Sequence, residues 1–370
     1  MTSGTRLAIL LPDMGGGGAE RVALALIRCF AAQGHQVDLL LLRAEGDLLK
    51  LIPPGVRVID LHAPRLRSAL PALVRYLKQE RPFALQASMW PLTVIAILSR
   101  MLARVPTRLV VSDHTILSLQ YAMFGKAAER ALRLTTRLFY RKADARVGVS
   151  RKVAEDVAQL ARLPVSAIDV IYNPLEPATR GGGEDKMPVW PAGGRRILSV
   201  GSLKAEKNYP LLVRAFARIA REQDVSLVIL GEGPLRPAVA AAIKAAAIED
   251  RVKLPGFVSD PGPWYASANL FVLSSDFEGF GNVVVEAMRH GLPVVSTDSG
   301  GPGEILDGGR YGRIVPVGDE AALAAAMRVA LDCPGDANLR KARAEALSGA
   351  QSAHQYLRLM IGADHESWER

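Results

Sequence analysis

Cysteine is almost missing from this 370-residue chain. Cys29 and Cys333 stand far apart, which excludes both a disulfide framework and the close spacing of a structural metal site. Long apolar runs are missing too: the longest, near Leu92 to Leu98, fall far short of the roughly 18 residues that a membrane-spanning helix needs. No transmembrane helix is expected. The opening MTSGTRLAILLPDMGG lacks a basic leader and a small-residue cleavage pattern, so it reads as a first strand and the expected setting is a reducing cytoplasm. There is no Asp-x-Asp metal pattern, no helix-turn-helix and no RNA-binding aromatic signature. Neither a resident metal nor a nucleic-acid partner is expected.

What is present describes a folded chain of about two domains, with 49% hydrophobic and 22% charged residues. Its net charge of +9 is uneven. Residues 1–180 carry 25 Lys and Arg against 14 Asp and Glu, leaving 21 against 23 for the rest. The two halves therefore face different partners, the basic one an anionic surface or substrate.

One stretch organises the chain: FVLSSDFEGFGNVVVEAMRHGLPVVSTDSGGPGE, Phe271 to Glu304. An apolar strand ends at Ser274-Ser275-Asp276, a turn broken by Gly279 and Gly281 follows, a helix opens at Asn282, and a second strand ends at Thr297. In open parallel sheets, ligands sit beyond the carboxyl ends of the strands. Glycines let backbone approach a ligand, and amides at the start of a helix attract an anion. Glu278 lies before that helix and Glu286 about two turns in, so a ligand along the helix start could meet both carboxylates.

The N-terminus repeats the theme: strand Arg6 to Leu11, glycines Gly15 to Gly18, then a helix from Ala19 to Ala32. The loop lacks the dinucleotide fingerprint, since Glu20 occupies the last glycine position, and this disfavours hydride transfer. From Val56 to Ser112 strands and helices alternate, as in a parallel α/β sheet. His114 follows the strand ending at Ser112, where a side chain can face ligand. Between Lys126 and Lys152, Lys126, Arg130, Arg133, Arg137, Arg141 and Lys142 recur at helical spacing. That stretch is expected either as a solvated face or as a surface resting on anionic lipid. Ser150 is a predicted helix N-cap. The Gly- and Pro-rich 179–194 reads as a linker. The second half restarts with strand Ile197 to Val200, a loop bearing Lys207, and a helix from Tyr209; an ammonium there is either solvated, as loop lysines usually are, or a point charge for phosphate. Arg340 to Leu359 reads as one helix.

E-G-F-G-N-V-V-V-E, flanked by S-S and by G-L-P-V-V-S-T-D-S-G-G-P-x-E-I, resembles the signature of the GT4-type retaining glycosyltransferases of GT-B fold. V-G-S-L-K-A-E-K-N and the N-terminal glycine loop resemble it too. The resemblance implies two Rossmann-like, doubly wound α/β domains facing across a cleft. Its expected boundaries are 1–178 for an acceptor domain, 179–194 for the linker, 195–347 for a nucleotide-sugar domain and 348–370 for a helix returning to the first domain. It implies that Glu278 faces the donor sugar, that Glu286 binds the ribose, and that Lys207 meets the diphosphate in a loop where Ser202 replaces a frequent Arg. It places Gly16 and Gly17 against diphosphate and acceptor, and His114 against acceptor or donor phosphate. Gly231 and Glu232 would border the nucleotide, Phe257 and Val258 would hold the base through backbone, and Phe280, Gly281 and Asn282 complete the donor set.

The implied reaction moves a sugar from a nucleotide sugar to a hydroxyl of a lipid-linked glycan or envelope polysaccharide, without metal or other cofactor. A UDP-sugar is favoured on family frequency, with a GDP-sugar as the alternative. The protein is expected in the cytoplasm, peripheral on the inner membrane face through Lys126–Lys152. Two other readings stay open at this point. One is a nucleotide-sugar epimerase or a phosphorylase of the same fold; the other is a sugar-binding protein without turnover.

Overall fold

The computed structural model of the chain describes residues 4–63, 65–175, 188–191, 194–347 and 349–362. It divides into two units, Met1–Glu176 with Ser348–Arg370, and Pro177–Leu347. In the first unit the elements run β1 (Arg6–Leu11), α1 (Gly18–Ala32), β2 (Gln36–Leu41), β3 (Arg57–Asp60), α2 (Leu66–Glu80), β4 (Ala84–Ser88), α3 (Leu92–Ala103), β5 (Arg108–Asp113), α4 (Leu117–Ala122), α5 (Lys126–Phe139), β6 (Ala145–Gly148), α6 (Arg151–Ala161) and β7 (Asp169–Val170). The second unit holds β8 (Arg195–Val200), α7 (Tyr209–Ala220), β9 (Val225–Leu230), α8 (Arg236–Ala245), β10 (Val252–Gly256), α9 (Gly262–Ser267), β11 (Leu270–Leu273), α10 (Asn282–Arg289), β12 (Val294–Thr297), α11 (Gly301–Ile305), β13 (Arg313–Val315), α12 (Glu320–Asp332) and α13 (Ala337–Ala346). The last helix, α14 (Gly349–Ile361), belongs to the first unit again.

Both sheets are parallel throughout, in the orders β3-β2-β1-β4-β5-β6-β7 and β10-β9-β8-β11-β12-β13. Each starts in its middle and winds outward both ways. That puts a topological switch point beside the carboxyl ends of β1 and β4 in one unit and of β8 and β11 in the other, the places where such sheets take ligands.

The apolar strand runs lie within the sheets, covered by amphipathic helices. In α1, Val22, Ala23, Leu26, Ile27 and Phe30 form the buried stripe, and strands β1, β2 and β4 are buried along nearly their whole length. Ser150 caps α6 through Val153 N at 3.2 Å, and Asn208 caps α7 through Leu211 N at 3.3 Å.

Three expectations need correction or lie outside the described residues. The single helix expected over Arg340 to Leu359 is two, α13 and α14. At the break a Cβ on Gly349 would stand 2.9 Å from the backbone of Pro174 and Leu175, so the chain passes too close there for any other residue. The helix of the basic stretch ends at Phe139, and Arg141 and Lys142 lie in a short turn beyond it. Most of the expected linker 179–194, and residues 363–370 of the expected last segment, fall outside the described residues. Trp190, within that linker, packs against Trp264 with ring centroids 5.4 Å apart and planes at 60°.

Candidate functional site

At the switch point of the second unit, the loops after β8, β9 and β10 are tied edge to edge. Gly201 N donates to Leu230 O at 2.9 Å, Leu203 N to Glu232 O at 2.9 Å, and Gly231 N to Gly256 O at 2.8 Å. Gly231 makes this possible: it sits at φ +138°, and a Cβ there would meet Gly201 O at 2.0 Å. Ser202, Gly231, Phe257 and Val258 therefore share one wall. Phe257 is exposed and Val258 partly buried, whereas the Glu232 carboxylate is occupied by Arg236 at 2.8 Å.

The opposite wall is the loop after β11. Its backbone is pinned at Glu278, whose N–H donates to Ser299 O at 2.7 Å and whose carbonyl accepts from Gly301 N at 3.2 Å. A Cβ on Gly301 would stand 2.4 Å from the Phe280 Cα, so the two loops interlock only because that position is glycine. Thr297 Oγ1 adds a 2.5 Å bond to Ser275 O. From this rigid frame Glu278 meets Lys207: Nζ donates to Oε1 at 2.5 Å, and Ser275 Oγ donates to the same oxygen at 2.6 Å. The pair is largely enclosed, with side chains 17% and 11% exposed. Lys207 is fixed in turn, since its carbonyl accepts from Ser274 Oγ at 2.9 Å and the next residue, Asn208, donates to Asp276 Oδ1 at 2.7 Å. A cation and a carboxylate thus stand side by side at the end of the two central strands.

Helix α10 starts at Asn282 behind this pair, after Gly281 at φ +100°, and no side chain caps its N-terminus. The positive end of a helix dipole attracts an anion. The Phe280 side chain is buried in the packing, so what this residue can offer a ligand is backbone. Glu286, on the second turn, accepts from the Tyr265 hydroxyl at 2.9 Å.

The first unit gathers a different set. Gly16 and Gly17 follow β1 in the loop that leads into α1. Gly16 adopts φ +97° with open space where a side chain would be. His114 follows β5, its Nε2 3.1 Å from Ser112 Oγ, and Ser112 belongs to a buried polar cluster with Gln86 and Ser88. The His114 Nδ1 has no hydrogen-bond partner among the described residues. Burial pulls this imidazole down to about 4, so at neutral pH it is an uncharged donor-acceptor and not a cation. Its neighbour Asp113 is pushed up to about 7 by burial, against the opposing bonds from the Tyr140 hydroxyl at 3.0 and 3.2 Å.

Sequence reasoning missed Ser275, Tyr265 and the Asn208–Asp276 link. Ser275 was visible only as part of a polar strand end. The other contacts join residues 21 and 68 positions apart, for which no local pattern exists.

Comparison with known proteins gives a consistent result. Residues 16–179 match the family described as Glycosyltransferase Family 4, and residues 194–333 that described as Glycosyl transferases group 1. Over 376 aligned positions the chain is 30% identical to the N-acetylgalactosamine-N,N'-diacetylbacillosaminyl-diphospho-undecaprenol 4-alpha-N-acetylgalactosaminyltransferase of Campylobacter jejuni, covering 96% of this chain and 100% of that one. A 137-residue stretch, 37% of this chain and 39% of the relative, is 34% identical to the lipopolysaccharide core biosynthesis glycosyltransferase LpsE of Rhizobium meliloti. Among solved structures, Anabaena Alr3699/HepE in complex with UDP and glucose superposes with a TM-score of 0.76 at 20% identity, covering 96% and 98% of the two chains. Sucrose-phosphate synthase from Thermosynechococcus elongatus gives 0.80 at 20% identity with the same coverage. The fold is shared with both.

Proposed function

The chain belongs to the GT4-type glycosyltransferases, and from that premise we propose that it transfers a sugar from a UDP-sugar to a glycan hydroxyl with retention of the anomeric configuration. The observation that carries this reading is the Lys207–Glu278 pair at the switch point of the second sheet, beside the uncapped start of α10. Breaking a glycosyl–phosphate bond builds negative charge on the leaving diphosphate and positive charge on the sugar ring. Lys207 and the helix dipole oppose the first, and Glu278 the second. Because Ser275 also holds Glu278 Oε1, the carboxylate keeps its place when Lys207 turns toward phosphate. Glu286 takes the ribose, and the wall formed by Ser202, Gly231, Phe257 and Val258 borders the nucleotide. With a cation and a helix terminus available for the diphosphate, the reaction needs no metal. Gly16, Gly17 and His114 serve the acceptor in the first unit, His114 as a neutral hydrogen-bonding group.

A panel of nucleotide sugars read by thermal shift identifies the donor, since a ligand bound only by the folded form raises the melting temperature. The stabilising donor is then incubated with glycan acceptors in the presence of chelator. An α-configured donor is expected to yield an α-linked product. An inverted product, a dependence on added Mg²⁺ or Mn²⁺, or donor epimerised without acceptor would overturn the respective part of the reading.

The acceptor class we infer is a lipid-linked glycan presented at the inner face of the membrane. The Campylobacter relative's name specifies a diphospho-undecaprenol-linked acceptor, and the surface of the first unit is suited to such a location. Only Leu132 and Thr136 of α5 are buried, so Leu134 and Leu138 point outward among Lys126, Arg130 and Arg137. The preceding corner adds Leu119, Met123 and Phe124, the last 68% exposed. Cations beside exposed apolar groups match anionic headgroups over acyl chains. No helix among the described residues is long and apolar enough to cross a membrane, so the contact would be peripheral. Co-sedimentation is expected with phosphatidylglycerol vesicles and not with phosphatidylcholine, and the double variant Phe124→Asp/Arg137→Glu should reduce it about tenfold or more. Equal, negligible binding to both lipids would remove the membrane from the account.

A further inference from the structure

We propose that Tyr265 is a positioning residue for nucleotide recognition, holding the Glu286 carboxylate in the one orientation that accepts a ribose diol. This rests on the reading of Glu286 as the ribose-binding group. Tyr265 lies within α9, 1% exposed, and its hydroxyl donates to Glu286 Oε2 at 2.9 Å. Its ring is clamped on two sides. His290 stacks against it with centroids 5.3 Å apart and planes at 19°, and Phe271 of β11 packs at 5.8 Å. His290 is itself tied to the same helix, its Nδ1 2.9 Å from Glu286 O. A ring fixed this firmly gives its hydroxyl a single direction.

The chemistry follows from lone pairs. A carboxylate offers about four acceptor positions on its two oxygens, and the Tyr265 bond takes one. That bond alone leaves Oε1 and one position on Oε2, enough for two vicinal hydroxyl donors in the carboxylate plane, with the Arg289 cation near the same carboxylate. Without the phenol, Glu286 is a partly exposed helix side chain with several rotamers, and ordering it must be offset by binding energy. The phenol performs this ordering in advance. Tyr265 itself touches no part of the nucleotide in this scheme; it acts through Glu286.

The probes are UDP and GDP with their 2′-deoxy and 3′-deoxy counterparts, titrated calorimetrically into the full chain. The wild type is expected to bind one ribonucleotide at least about tenfold more tightly than its deoxy forms. Tyr265→Phe, which keeps the ring and both stacking contacts, should shrink that ratio to about twofold while leaving deoxynucleotide affinity unchanged. In a Glu286→Ala background, Tyr265→Phe should have no further effect, the signature of one residue acting through the other. A second variant, Tyr265→Leu, also removes the ring; it should lower the melting temperature and show the same diminished ratio. If the wild type does not distinguish ribose from deoxyribose, the assignment of Glu286 fails and the inference goes with it. If the wild type discriminates and either folded variant keeps the full ratio, or loses ribo and deoxy affinity equally, Tyr265 is structural only and this inference alone is overturned.

Discussion

Lys207→Ala is expected to lower kcat by about 10²- to 10³-fold while changing the donor KM only a few-fold, a loss of about 3–4 kcal/mol of transition-state stabilisation. The Lys207 side chain is 17% exposed and carried on a short turn, so its ammonium is preorganised for charge that appears only as the diphosphate departs. An interaction made mainly in the transition state shows itself in turnover and not in ground-state affinity. The substitution also leaves Glu278 with Ser275 as its remaining partner in that bond set, in a largely enclosed place. Removing one member of such a pair destabilises a fold by roughly 3–5 kcal/mol when burial is complete, and by less here, where both groups keep some exposure. Activity must therefore be read well below the melting temperature of the variant, with the melt measured alongside. Full turnover in folded Lys207→Ala protein would remove Lys207 from the chemistry.

Glu278→Gln should have a comparable effect on turnover for a different reason. Glutamine keeps the length and the acceptor oxygen that Lys207 and Ser275 both use at 2.5 and 2.6 Å, so the loop geometry survives while the negative charge is lost. A fall in kcat of about 10²- to 10³-fold, with UDP affinity within about threefold of wild type, would assign the carboxylate to the positive charge developing on the sugar. UDP has no sugar ring to meet Glu278, which is why its affinity is the control. If UDP affinity fell in parallel with turnover, Glu278 would instead be part of the nucleotide site. Lys207→Met/Glu278→Gln offers a check on the pairing itself. With neither charge left unpaired, the double variant should melt higher than the sum of the two single losses predicts.

Much of the fold was legible because burial has a local period. Strands such as Leu7 to Leu11 read as continuous apolar runs, helices such as α1 show their buried stripe at every third or fourth residue, and Ser150 announces a helix start. Legibility failed where a local pattern was cut by a distant neighbour. Arg340 to Leu359 reads as one helix until the 173–175 segment presses on Gly349, and no pattern within the helix records that contact. Strand β13, three residues long, is too short for any periodicity to show; its place is set by pairing with β12.

By itself the sequence determined that the chain is a two-unit parallel α/β protein; it marked Glu278 by the glycines that follow it, and it singled out Lys207 and Glu286 through the motifs that resemble the family's. Only the tertiary structure decided that Lys207 and Glu278, 71 residues apart, share a proton-bearing contact, and that Tyr265 is what fixes Glu286. The reason lies in the sheet order. Periodicity tells a segment which face to bury, but which strand ends become neighbours is settled by the whole sheet winding outward from β8, and that places two distant loops against each other.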